Sequence, residues 1–113
     1  MRGQFEEAID VFQQELDVTP TEVLLYRYIG RCQRRMGDLD AAEASFERSL
    51  EAYPYNPRVH YEMALVREER GDQAAAMRHL ETALEVWGNA DPVYKPAAAA
   101  REKLAELESG SGS

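Results

Sequence analysis

Residues 37–50 read GDLDAAEASFERSL, and related stretches occur twice more along the chain. Residues 3–16 read GQFEEAIDVFQQEL and residues 71–84 read GDQAAAMRHLETAL, so the opening glycine recurs every 34 residues. The positions that stay in register are spaced as on one face of a helix. They are Ala8, Ala42 and Ala76, then Phe12, Phe46 and Leu80, then Leu16, Leu50 and Leu84. The pattern predicts one amphipathic helix that is repeated three times.

A second amphipathic stretch precedes each of the two later copies, at residues 21–36 and 57–70. Each contains a small residue, Gly30 or Ala64, at the same place in the repeat. Strand-like alternation does not persist anywhere, so we expect an all-α chain. The predicted helices cover about 4–18, 22–36, 39–53, 57–70, 73–87 and 93–108.

Local chemistry predicts several helix ends. Gly37 and Gly71 follow helices as C-terminal caps, and Pro54 follows another as a residue that cannot continue it. The dipeptides Asn56-Pro57 and Asp91-Pro92 each combine an N-cap residue with a proline suited to the first turn.

The period, the small residues and the aromatic positions together resemble the tetratricopeptide repeat family, whose unit is a pair of antiparallel helices. The resemblance implies an α-α superhelix, a solenoid of about six helices. Small side chains would let the two helices of a unit approach closely, and Phe46 and Leu80 would fill the wedge toward the next unit. Gln33 and Arg67 depart from the family pattern, because an aromatic residue usually stands there. The structural positions of the repeat are Gly30, Gly37, Ala42, Phe46, Pro54, Ala64, Gly71, Ala76 and Leu80.

The repeat phase predicts one domain at residues 1–108. Residues 3–20 would form the second helix of a unit whose first helix is missing, since Gly3 matches Gly37 and Gly71. Residues 21–54 and 55–90 would be full repeats, and residues 91–108 a helix that covers the last apolar face. Residues 109–113, SGSGS, have the composition of a flexible linker or a tag remnant.

Composition excludes several classes of function. The 113 residues carry a formal net charge of −8, which argues against nucleic acid and anionic membranes as partners. No stretch is long and apolar enough for membrane insertion. The opening residues lack the apolar run of a signal peptide, which slightly favours the cytoplasm without determining a compartment.

Residues with catalytic or metal-binding potential are few. The lone Cys32 is expected to be a small buried core residue, although Arg31 and Arg35 nearby leave a reactive thiolate open. We expect His60 to pack between helices and His79 to lie on a solvent face, with no second metal ligand at helical spacing. The sequence therefore predicts no enzyme activity, no metal site and no cofactor.

The charge distribution predicts a binding surface. Residues 21–36 carry four arginines against one glutamate, a net charge of +3, so the remainder carries −11. First helices line the concave face of such solenoids, and binding usually occurs there. Guanidinium groups beside apolar side chains suit an extended acidic peptide, and a solvated face without a ligand is the alternative. The candidate peptide-binding residues are Arg27, Arg31, Arg34, Tyr61, Leu65 and Lys95.

The predicted first helix supplies a second hypothesis. Part of its apolar face would remain exposed, and a second copy of the chain could cover it in a homodimer or a head-to-tail stack. The candidate self-association residues are Phe5, Ile9, Phe12 and Leu16. The sequence thus favours a protein-interaction scaffold within a larger protein, and the alternative is a homo-oligomerisation module.

Overall fold

A computed structural model describes residues 2–88 and 94–111 of the chain. Those residues form six helices: α1 (Arg2–Val18), α2 (Leu24–Arg35), α3 (Leu39–Ala52), α4 (Pro57–Glu69), α5 (Gln73–Trp87) and α6 (Lys95–Ser111). The predicted all-α fold is confirmed, and no helix end differs from its prediction by more than three residues. The predicted cap at Asp91-Pro92 lies outside the described residues. None of the described helices is long and apolar enough to cross a membrane.

Gly37 and Gly71 end α2 and α4 by the same hydrogen-bonded motif. Both have φ of +84°, a conformation that L side chains rarely adopt. After Gly37, the Asp38 N–H donates to the carbonyl oxygen of Gln33 over 2.9 Å, and the N–H of Gly37 itself donates to Arg34. This pair of bonds satisfies the last carbonyls of α2 and is repeated one unit later at Gly71.

Gly3 differs from its two counterparts. It lies within α1, whereas the repeat phase predicts a loop residue that ends a helix. A left-handed conformation at such a glycine is stabilised by hydrogen bonds back to the carbonyls of a preceding helical turn. Gly3 instead lies in the first turn of α1.

The chain divides between Pro54 and Tyr55 into two compact units, the first containing α1–α3 and the second α4–α6. In the first unit, Ala42 and Phe46 of α3 are fully buried. Gly30 of α2 faces the Phe46 ring so closely that an added Cβ would lie 2.6 Å from Phe46 Cε1. The close approach expected at this small residue is therefore real. The prediction of a single domain at residues 1–108 stays a prediction.

The core of the second unit joins all three of its helices. Ala64 of α4 and Leu80 of α5 are buried in one apolar cluster with Ala97 and Leu107 of α6. The Trp87 ring meets the Tyr94 ring edge to face at a centroid distance of 5.8 Å. Helix α6 thus packs against the apolar face of α5.

Helix α6 continues to Ser111, so the first three residues of the predicted linker are helical. Residues 97–108 contain strong helix formers, and a helix that has nucleated propagates at little cost.

Candidate peptide-binding surfaces

The candidate arginines of the first unit occupy one side of α2. Arg27, Arg31 and Arg34 are spaced four and three residues apart, which places their side chains along one helix face. Arg31 and Arg34 are half-buried. Arg34 lies in the last turn of α2, where the helix dipole favours a cation. The favourable interaction of Arg34 with the helix dipole is therefore a structural reason, independent of any ligand, for one of the three arginines.

Arg27 is the most enclosed of the three. Its side chain is only 8% exposed, and Arg27 Cζ lies 4.6 Å from the centroid of the Tyr28 ring. Such a stacked cation is held by the aromatic face and has less freedom to reach a ligand. Arg31 and Arg34 are consequently the better placed donors of the predicted set.

The candidates of the second unit differ in exposure. Tyr61 and Leu65 on α4 are half-buried, and Tyr61 packs against the apolar cluster of that unit. Lys95 is exposed at the start of α6. The two candidates on α4 thus present aromatic and aliphatic surface, and Lys95 presents a cation.

Two polar contacts that were not predicted from the sequence join α4 to α6 and to Tyr94, the residue before α6. Lys103 Nζ lies 3.1 Å from Glu68 Oε1, and the hydrogen bond from Lys103 to Glu68 raises the pKa of the ammonium group. Arg58 donates to the Tyr94 hydroxyl over 3.4 Å. Each contact joins residues about one repeat apart, so a comparison of charges at that separation could have found the ion pair.

The two histidines form a pair between α4 and α5. Their Nδ1 atoms lie 3.0 Å apart, and the ring centroids are separated by 5.3 Å. His60 is buried, as expected for a residue that packs between helices. The expectation of a solvent-facing His79 is wrong, because its ring turns toward His60 and is half-buried. Burial, followed by the positive potential of His60, Arg67 and Arg78, lowers the pKa of His79 to about 4.

Cys32 is half-buried rather than fully buried. Burial raises the pKa of its thiol, and the charges of Arg35 and Arg31 offset part of that effect. The thiol is therefore not activated as a nucleophile. Among the described residues, no three His, Cys, Asp or Glu side chains form a group that could hold a metal ion.

The predicted self-association residues of α1 mostly hold the first unit together. Leu16 is only 3% exposed, and Phe5 and Ile9 are half-buried. Phe12 stacks on Tyr28 of α2 at a centroid distance of 5.7 Å. The most exposed apolar side chains of α1 are instead Val11 and Val18, at 54% and 83%.

The fold and the repeat pattern agree with comparisons to known proteins. The tetratricopeptide repeat family profile matches residues 2–57, and residues 71–84 continue the same period. This chain belongs to the tetratricopeptide repeat family, which confirms the resemblance predicted from sequence. Among curated proteins, none matches the sequence.

Solved structures with this fold include bacterial chaperones. The Yersinia enterocolitica type III secretion translocator chaperone SycD is 22% identical, with a TM-score of 0.88 over 98% of this chain and 77% of that chain. PcrH in complex with the chaperone-binding region of PopD is 18% identical, with a TM-score of 0.84 over 96% and 82%. The first repeat domain of Spaghetti, bound to an HSP90 peptide, is also 18% identical, with a TM-score of 0.81 over 98% and 82%. At these identities the likeness establishes the fold alone.

Proposed function

We propose that this chain is a non-catalytic scaffold that binds an acidic peptide or protein segment through the arginines of α2. The observation that carries the proposal is the row of arginines on one face of α2 in a chain with net charge −8. Arginine binds carboxylates in a two-bond geometry that lysine cannot match. Tyr61 and Leu65 on α4 are half-buried and stay candidate ligand contacts within the second unit.

Three relatives by fold support a peptide as the ligand. SycD has been solved with a peptide of the translocator YopD, PcrH with the chaperone-binding region of PopD, and the Spaghetti domain with the HSP90 peptide SRMEEVD. Peptide binding is therefore compatible with this arrangement of helices.

A clamp for a C-terminal carboxylate is not part of the proposal. Family members with that clamp use an asparagine on the next first helix, where this chain has Tyr61, Glu62 and Leu65. We expect the acidic groups to be side chains within the ligand.

The test compares labelled peptides by fluorescence anisotropy. The first is a fluorescein-labelled decapeptide in which glutamate and leucine alternate, with an amidated C-terminus, and the second replaces each glutamate by glutamine. We expect Arg31→Glu with Arg34→Glu to weaken binding of the glutamate peptide at least about tenfold, because two attractive contacts become repulsive. Arg27 is left intact, since a carboxylate at that enclosed position would disturb folding.

The matched control reverses two arginines on second helices, Arg48→Glu with Arg78→Glu, and gives the same change in net charge. Both side chains are exposed, so the fold should survive, which circular dichroism checks. Equal weakening by the two double variants would mean that net charge alone drives binding. Equal binding of the glutamate and glutamine peptides would also contradict the proposal.

A further inference from the structure

Two hollows in the first unit flank α1 at opposite ends of that helix. One has a volume of about 360 Å³ and lies between the first half of α1 and the second half of α2, with Phe5, Ala8 and Phe12 on one side and Tyr28, Arg31 and Arg35 on the other. The second has a volume of about 500 Å³ and lies at the other end of α1, lined by Val11, Gln14, Glu15, Val18, Thr19 and Glu22.

The two hollows carry opposite charges. Among the described residues, the first is lined by the cations Arg31 and Arg35 and by no carboxylate. The second is lined by the carboxylates Glu15 and Glu22 and by no cation. The lining of the first hollow is therefore cationic and that of the second is acidic, while the exposed carboxylates on the first half of α1, Glu6, Glu7 and Asp10, do not line the first hollow.

A ridge on α1 connects the hollows, with Ala8, Val11 and Val18 as its apolar members and Gln4 and Glu15 as its polar ones. Residues 4, 8, 11, 15 and 18 are spaced four, three, four and three apart, the repeat of a helix–helix seam. Ala8 lines the first hollow, and Val11 and Val18 line the second. Val11 stands at the middle of this series and is 54% exposed, and Val18 near its end is 83% exposed.

We propose that the occupant of this surface is α1 of a second copy of the chain, packed antiparallel across a two-fold axis near Val11. That symmetry places the cationic hollow of each copy against the acidic hollow of the other, so this charged contact forms twice. Val11 meets its own counterpart, and each Val18 lies toward the partner's first hollow. A parallel arrangement would instead bring like charges together, which disfavours it.

This surface overlaps the one predicted from sequence only at the first hollow, which Phe5 and Phe12 line. The proposed interface centres instead on Val11 and Val18, which are more exposed than any of the predicted residues. It shares Arg31 with the proposed peptide surface, but Arg35, Glu22 and Val11 belong to no part of that surface, so variants at these three residues separate the two proposals. One helix pair makes a small interface, so we expect micromolar affinity.

Sedimentation equilibrium of the full chain, from low to high micromolar concentration, tests the proposal. The expected result is a reversible monomer–dimer equilibrium that Val11→Asp abolishes, because two carboxylates would meet at the axis. Val86→Asp is the matched control, since Val86 on α5 is 50% exposed and lies in the other unit. The Val86→Asp variant should dimerise as the parent chain does. Circular dichroism verifies that both variants fold.

A charge exchange makes the orientation testable. Arg35→Glu alone and Glu22→Arg alone should each weaken dimerisation at least about tenfold, because each creates two repulsive contacts. The double variant, Arg35→Glu with Glu22→Arg, should recover most of the affinity, since both contacts are restored with reversed polarity.

Three results would overturn the proposal. The first is a monomer throughout the concentration range, and the second is growth beyond the dimer, which requires a head-to-tail contact. The third is a dimer that none of the variants at Val11, Arg35 or Glu22 affects.

Discussion

The α2–α3 pair and the α4–α5 pair are successive copies of one repeat, yet they fill the same space with different side chains. In the first pair, Gly30 lies against the Phe46 ring, so closely that a Cβ would not fit. In the second, Ala64 and Leu80 take the corresponding positions in the cluster. A smaller residue on one helix thus accompanies a larger one on its partner. The comparison teaches that the repeat conserves the volume between its helices, rather than either residue.

The polar contacts between the helices differ as well. In the first pair, the Ser45 hydroxyl donates to Gln33 Oε1 over 2.6 Å. His79 stands 34 residues after Ser45, and it meets His60 with 3.0 Å between the Nδ1 atoms. One position therefore forms a neutral hydrogen bond in one copy and a titratable pair in the next.

Removing the largest fully buried side chain of the described residues should have the largest effect on stability. Phe46→Ala deletes a ring that is fully buried, and we expect a loss of about 3–5 kcal/mol in the free energy of unfolding. Urea titration followed by circular dichroism measures it. A loss below about 1 kcal/mol would show that the ring is not central to the first unit.

Adding a methyl group where the helices are closest should also destabilise the chain. Gly30→Ala places Cβ 2.6 Å from Phe46 Cε1, and we expect a cost of about 1–3 kcal/mol from overpacking. Phe46→Leu in the same chain recreates the pairing of the second repeat and should recover part of that cost. Helix propensity alone predicts the opposite sign, a gain of about 1 kcal/mol. A stabilising Gly30→Ala would therefore refute the account of conserved volume.

The histidine pair should make stability depend on pH. The folded-state pKa of His79, about 4, is below its usual value of 6.5, so protonation favours unfolding. The contribution of neutral His79 to the free energy of unfolding is complete above pH 6.5 and is lost as the pH falls toward 4. For a half-buried ring we expect a loss of about 1–2 kcal/mol after allowance for solvent screening.

The matched variant is His79→Ser, which copies Ser45 of the first repeat. Urea titrations at pH 7 and pH 5 of both proteins separate the histidine from the carboxylates, which titrate in both. If the free energy of unfolding changed equally with pH in the parent chain and in the variant, the histidine pair would not be a source of the pH dependence.

Removing the N-cap side chains of α3 and α5 should change the stability of the chain least. Asp72 accepts a hydrogen bond from the Ala75 N–H over 3.1 Å, whereas the Asp38 side chain makes no such capping bond to α3. We expect Asp72→Ala to cost about 1 kcal/mol and Asp38→Ala to cost less. Thermal unfolding of the two variants under one buffer condition measures the difference. Equal losses would mean that side-chain capping does not distinguish the two repeats.

Most of the helix boundaries were predictable because local chemistry determines them. Gly37 and Gly71 end helices through their own conformational freedom, and the Asn56 side chain accepts the Arg58 N–H over 3.0 Å at the start of α4. Gly3 was placed wrongly because its conformation depends on bonds to a preceding turn. The arginines of α2 were identifiable as a set, but the enclosure of Arg27 over Tyr28 was not.

The sequence by itself determined the repeat, its phase and its helical character, since period, caps and small residues act over one or two turns of chain. Only the tertiary structure decided which side chains share a surface. His79 meets His60 across 19 residues, and α1 turns Leu16 inward while Val11 and Val18 remain exposed. The physical reason is that burial and pairing depend on how each helix is rotated against its neighbour. That rotation is set by packing across the whole unit, and no local pattern specifies it.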